Sequence, residues 1–162
     1  MKTKIKKLVI LCALILYYGS VFSQSNDFKK NGSLTGKNII HFSLAPDIAY
    51  NAAAIYYDRV ISQNDRLATF VRVGFGGWHT LLVDGGTNVI GQGGIILGSN
   101  NKRFEASAGV AYQNKTANSN DDPSIVPAIS LGIRSQKPNK HFVFRAGLGY
   151  PEGIYVGVGH AF

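Results

Sequence analysis

The sequence predicts an all-β chain in which eight antiparallel strands follow one another up and down and close into a barrel. Three observations carry this. After residue 35 the chain falls into alternating apolar segments of about 9 to 12 residues, and none of them has the three-to-four-residue repeat of an amphipathic helix. Clusters of turn formers separate them, such as "SQND" at 62–65, "GSNNK" at 98–102 and "QKPNK" at 136–140. The chain also stops inside an alternating segment, "GIYVGVGHAF", on an aromatic residue. Such a strand needs a partner on each side, and closure supplies one.

The first element is not a strand. Lys2, Lys4, Lys6 and Lys7 precede the unbroken apolar run Leu8 to Tyr18, which is too short to span a bilayer as a helix but fits the core of a secretory signal. Small residues follow, and "VFSQ" places cleavage after Ser23, so residues 1–23 are read as a signal peptide. Four of the 17 basic residues and none of the nine acidic ones lie in that segment, so its removal takes the formal charge from +8 to +4. The remaining cations are scattered along the chain, which argues against nucleic acid as a partner. The single cysteine, Cys12, lies inside the signal, which excludes disulfides and thiolate metal sites from the rest. Residues 24–35 are polar and read as a flexible leader, and residues 36–162 as the barrel.

The eight strands are placed at 37–45, 50–61, 66–76, 87–97, 102–113, 125–135, 140–149 and 153–162. The connections around 44–50, 76–87 and 114–124 are read as longer than those at 62–65, 98–102 and 136–140, while 150–153 is brief. An even strand number returns both ends of the barrel segment to one rim.

Strand faces decide what surrounds the barrel. In the fifth segment Phe104, Ala106, Ala108, Val110 and Tyr112 oppose Arg103, Glu105, Ser107, Gly109, Ala111 and Gln113. The third, sixth and seventh sort in the same way, setting Val71, Ile129 and Phe144 against Arg72, Ser130 and Arg145. An eight-stranded barrel has an interior only just wide enough for side chains to fill. Four faces of Phe, Ile, Leu and Val would overfill it, whereas glycines, serines and a few charges fit. The large apolar faces are therefore expected outside, in lipid, and the fold class becomes an eight-stranded antiparallel up-and-down transmembrane barrel. Phe104, Tyr112, Phe142 and Tyr150, near strand ends, are expected in the aromatic girdles at the two interfaces. The second and fourth segments, with Tyr56-Tyr57-Asp58-Arg59 and Gly91-Gln92-Gly93-Gly94, sort to neither face.

Taken together, the signal with Gln24 after the cut, the strand pair "YDRVISQNDRLATFVRVGFG" and the terminal Phe162 resemble the small eight-stranded outer-membrane β-barrel proteins of Gram-negative bacteria. The resemblance covers nearly the whole chain after the signal. It implies residence in the outer membrane, with outer-membrane lipid as surroundings. It also implies that Ile154, Val156, Val158 and Phe162 form the C-terminal signal read by the outer-membrane assembly machinery. His160 departs from the apolar pattern of that signal.

Charges at membrane depth must pair or meet water, so Arg72, Glu105 and Arg145 are expected to form a lumenal ion cluster centred on Glu105. Its expected duty is to brace a narrow, filled interior, not to line a wide pore. Gly74-Phe75-Gly76-Gly77, Gly147-Leu148-Gly149 and Gly157-Val158-Gly159 resemble phosphate cradles, but no helix follows them, so they read as small lumen-facing residues. Trp78, His79 and Asp84 are placed on a connection where they are candidate surface contacts. No catalytic residues, metal or cofactor are expected, and the four histidines show no ligand spacing; His41 stands alone on the first strand. The expected role is structural or surface interaction. Two alternatives stay open. A lipid-modifying outer-membrane enzyme would need His79 and Asp84 to converge with a nucleophile. A secreted lipocalin-like carrier of a small apolar ligand would bury Phe104, Val110, Ile129 and Phe144 at its centre.

Overall fold

The computed structural model describes residues 34–46, 50–80, 85–99, 101–115, 123–137 and 139–162. The proposed signal, leader residues 24–33 and Asp84 lie outside the described residues. Eight strands follow in order: β1 Asn38–Pro46, β2 Tyr50–Gln63, β3 Leu67–Thr80, β4 Gly86–Leu97, β5 Lys102–Lys115, β6 Ser124–Ser135, β7 Phe142–Tyr150 and β8 Gly153–Ala161. Each pairs antiparallel with the next, and β8 returns to β1, from Ile39 opposite Ala161 to Leu44 opposite Val156. The C-terminal strand is thus the closing seam. No sheet edge is left along its paired length.

The long connection expected at 76–87 is mostly strand. β3 continues to Thr80 and β4 begins at Gly86, because Trp78 lies between Ala52 on β2 and Gly86 on β4 and the ladder continues on both sides. The connections at 44–50 and 114–124 shorten in the same way, with β1 reaching Pro46, β5 reaching Lys115 and β6 starting at Ser124. β7 and β8 do not rise with the wall made by β2 to β6. Ser124 to Ala128 of β6 extend past the last β7 pair, Ile129 with Tyr150. Pro127, which has no N–H to give a ladder, is accommodated on that free margin.

The facing is that of a barrel turned inside out relative to a soluble one. Phe104, Ile129 and Phe144 are 46, 50 and 41% exposed, while Glu105 is 1% exposed. This is the reverse of the arrangement that a carrier with a greasy centre requires. Phe104 and Phe142 mark the rim that holds the N-terminal end of β1, and Tyr112 and Tyr150 the opposite rim, all four pointing outward. Both unsorted strands now have faces. In β2, Ala54, Tyr56, Asp58 and Val60 point inward and Ile55 and Ile61 outward; in β4, Asn88, Ile90 and Ile96 point inward and Val89, Ile95 and Leu97 outward.

Two apolar layers cross the lumen. Leu34, Ile39, Val60, Ala68, Phe70, Ile96, Val143 and Ala161 fill the end near the chain termini. Ala54, Tyr56, Ile90, Ala111 and Ala128, with Val126 against them, fill the other half. Leu34 and Thr35, assigned from sequence to the flexible leader, belong to the first closure. Leu34 is buried, and Gln136 Nε2 donates to the Thr35 carbonyl at 2.7 Å. Gly36 makes the bend, with φ +76° and a hypothetical Cβ only 2.7 Å from Phe162 N, so no other residue fits without displacement. Asn38 and Phe162 then exchange backbone hydrogen bonds at 3.0 and 2.8 Å.

Candidate functional site: the lumenal ion cluster

Between the two apolar layers lies a polar layer built from six strands. Inward positions follow one another at every second residue, so Asp58 comes between Tyr56 and Val60 on β2, Arg72 after Phe70 on β3, and His41 after Ile39 on β1. β5 contributes Glu105, β6 Arg134 and β7 Arg145, all buried.

Asp58 and Glu105 are the two anionic centres. Asp58 accepts from Arg72 Nε at 2.6 Å and Nη2 at 2.9 Å, a bidentate fork, and from Arg134 Nη2 at 3.0 Å. Glu105 Oε1 accepts from Arg72 Nη2 at 2.8 Å and from Arg145 Nη2, and Arg134 Nη1 lies 3.2 Å from Glu105 Oε2. Arg72 and Arg134 each bridge both carboxylates. His41 Nε2 sits 3.1 Å from Asp58 Oδ1, and Arg145 Nη1 lies 3.1 Å from both ring nitrogens. Arginine can only donate. A neutral imidazole with its proton on Nε2 therefore gives a hydrogen bond to Asp58 and accepts one from Arg145. Among these six residues three guanidinium groups against two carboxylates leave one surplus positive charge, and the buried Arg103 lies opposite Arg134 next to them.

Aromatic faces carry part of that surplus. The Arg72 guanidinium lies 4.8 Å from the Phe70 ring centroid and 5.6 Å from that of Tyr56, and Arg145 lies 5.2 Å from that of Tyr155. His41 stacks on Tyr56 at 5.0 Å between centroids. Gly74 lets Tyr56 lie flat across β3, since any Cβ there would meet the ring. Ser107 and Ser130 form a 2.7 Å hydroxyl pair within the same wall.

The structure brings Arg72, Glu105 and Arg145 together, and adds three residues that the sequence reading left out. Arg134 shares the inward face of β6 with Ser130, four residues before it. His41, read as solitary, is tied to Asp58. Asp58 itself was hidden because Tyr57 and Arg59 beside it point outward and are also polar; Tyr57 Oη donates to Asn38 Oδ1 at 2.7 Å. The cluster is consequently shared between Asp58 and Glu105 instead of being centred on Glu105 alone. The one signal available was the inward pattern Tyr56, Asp58, Val60 against Ile55 and Ile61.

The remaining site residues lie elsewhere. Ile154, Val156, Val158 and Phe162 line the outward side of the closing seam and are exposed, with His160 among them. Trp78 and His79 are in β3, not on a loop; Trp78 is half-buried and His79 exposed. The glycine pairs 74/76, 147/149 and 157/159 all lie on inward positions. His141 and His160 stack at the rim near the termini, 5.2 Å between centroids, and His141 Nδ1 donates to the Ala161 carbonyl at 2.6 Å. Among the described residues no group of His, Cys, Asp or Glu side chains is placed to hold a metal ion.

No protein-family model matches this chain. No curated protein matches it either. Among solved structures it is similar to the N-terminal β-barrel domain of Pseudomonas aeruginosa OprF, with a TM-score of 0.59 and 18% sequence identity over 79% of this chain and 99% of that one. At that identity the likeness is one of fold: the closed eight-stranded antiparallel barrel.

Proposed function

We propose that the chain is an integral outer-membrane β-barrel protein with a structural or surface-interaction role, its lumen a braced core that conducts nothing large. The observation that carries the reading is the sorting of side chains. Outward positions of all eight strands present Ile, Leu, Val, Phe and Tyr, while Asp58, Arg72, Glu105, Arg134 and Arg145 are held inside. In water that outward surface would be a very large exposed apolar patch. In hydrocarbon it is the solvated face, and a closed ladder satisfies the backbone. The exported N-terminus read from sequence and the fold shared with the OprF barrel support the outer membrane as the place.

In this reading the partners are membrane lipid and the assembly machinery that engages the outward residues of β8. No nucleic acid, cofactor or catalytic step is involved. Arg72, Arg134 and Arg145 are engaged with Asp58 and Glu105 inside the barrel, and the exposed His79 lies outside that cluster.

Reconstitution tests this. The chain expressed with its signal should fractionate with outer membranes and require detergent for extraction. When unboiled it should migrate as a compact barrel on a denaturing gel. In vesicles it should release neither sugars nor dyes. A detergent-free soluble monomer, or dye release at rates typical of open pores, overturns the reading.

A further inference from the structure

The two rims of the barrel differ in charge. At the rim near the chain termini each connection supplies an exposed cation: Lys37 before β1, Arg66 between β2 and β3, Lys102 at the start of β5, and Lys137 and Lys140 between β6 and β7. Asp65 is the one exposed carboxylate there among the described residues. Among the described residues the other rim carries one residue of each sign, Lys115 at the end of β5 and Glu152 in the β7–β8 turn, so no comparable set of cations gathers there. The cations are spread around the circumference and not gathered on one side.

Their depth matters as much as their sign. The outward residues next to these connections are Leu67, Leu97, Phe104, Phe142 and Phe162, all exposed and apolar. The cations therefore begin where the apolar band stops. Long basic side chains in that position reach past the hydrocarbon edge and place their charge at the level of lipid phosphates. The His141–His160 stack lies on the same border and offers further N–H donors.

We propose that this rim binds the phosphate headgroups of anionic phospholipids through Lys37, Arg66, Lys102, Lys137 and Lys140. The proposal rests on the membrane reading above and goes beyond it by naming a lipid class and the residues that select it. A protein ligand would call for an apolar centre within the patch, whereas the cations here form a thin ring around a plugged mouth. The ring matches a layer of phosphates.

The test uses the full chain folded in detergent and in vesicles. Native mass spectrometry after mixing with equal phosphatidylglycerol and phosphatidylcholine should show preferential retention of the anionic lipid, by at least about tenfold, since each cation near an anionic surface contributes roughly a fivefold gain at best. High salt should reduce it. The variant carrying Lys37→Gln, Arg66→Gln, Lys102→Gln, Lys137→Gln and Lys140→Gln should fold, judged by gel migration when unboiled, and retain both lipids nearly equally. Equal retention by the parent chain overturns the inference, as does a preference that survives the five substitutions. Displacement of the lipid by inorganic phosphate also overturns it, because the rim would then be a site for free anions. Failure to enter vesicles of either composition overturns the membrane reading itself.

Discussion

Asp58→Asn is the most informative single substitution in this barrel. The side chain keeps its size and one acceptor oxygen but loses its charge, and three donors now point at it: the Arg72 fork, Arg134 and His41. The layer then holds three guanidinium groups against Glu105 alone, so its surplus rises from one positive charge to two in a site closed above and below by apolar side chains. Removing one partner of a buried, hydrogen-bonded pair typically costs about 3–5 kcal/mol, mostly because the other charge stays buried unpaired. Against a domain stability of roughly 5–15 kcal/mol this is severe. With a urea dependence near 2 kcal/mol per molar, the unfolding midpoint in vesicles should fall by about 2 M. Arg134→Met supplies the contrast. It fills much of the same volume and leaves two guanidinium groups facing two carboxylates, so it should cost distinctly less. Reversible urea unfolding followed by gel migration and tryptophan fluorescence measures both, with Asp65→Asn in the exposed β2–β3 turn as reference. A midpoint for Asp58→Asn within error of that reference refutes the claim that charge pairing braces the lumen. An Arg134→Met cost equal to the Asp58→Asn cost refutes the surplus-charge reasoning.

Gly36→Ala should lower stability by at least about 1 kcal/mol, because alanine is strained at positive φ and its Cβ would lie 2.7 Å from Phe162 N; the same urea assay reads it. Val73→Lys puts a charge on the outward face of β3 and should cost about 2–4 kcal/mol if that face meets mid-bilayer hydrocarbon, whereas in a water-soluble barrel the exposed Val73 would tolerate lysine. Burial in the β7–β8 turn pushes the Glu152 carboxyl up from its ordinary 4.5 to about 7. The folded state then holds the proton more tightly than the unfolded one, so the penalty is absent below about pH 4.5, grows up to pH 7 and is complete above it. Glu152→Gln should therefore raise the thermal midpoint at pH 8 and leave it unchanged at pH 4; a gain equal at both values refutes the assignment.

What the sequence by itself determined follows from a period of two. Alternation in the third, fifth, sixth and seventh segments sorted Val71 from Arg72, Phe104 from Glu105, Ile129 from Ser130 and Phe144 from Arg145, and the volume limit of a narrow barrel turned the greasy sides outward. The strand count, the order of the strands and the three charges Arg72, Glu105 and Arg145 were legible for that reason. β2 and β4 were not, for different causes. In β2 the outward Tyr57 and Arg59 lie near the rim beside Asn38, where polar tips reach out of the wall, so polarity ceased to distinguish the faces and Asp58 was masked. In β4 the outward Gly91 and Gly93 have open space where a Cβ would stand, so no side chain marked the outward side. Only the tertiary structure could decide how strands distant in sequence align across the lumen. Strand tilt and register bring His41, Asp58 and Arg134 into one layer with the three expected charges, and they fold Leu34 back under the barrel mouth. Alternation fixes which way a residue points; the register of the closed sheet fixes what it meets.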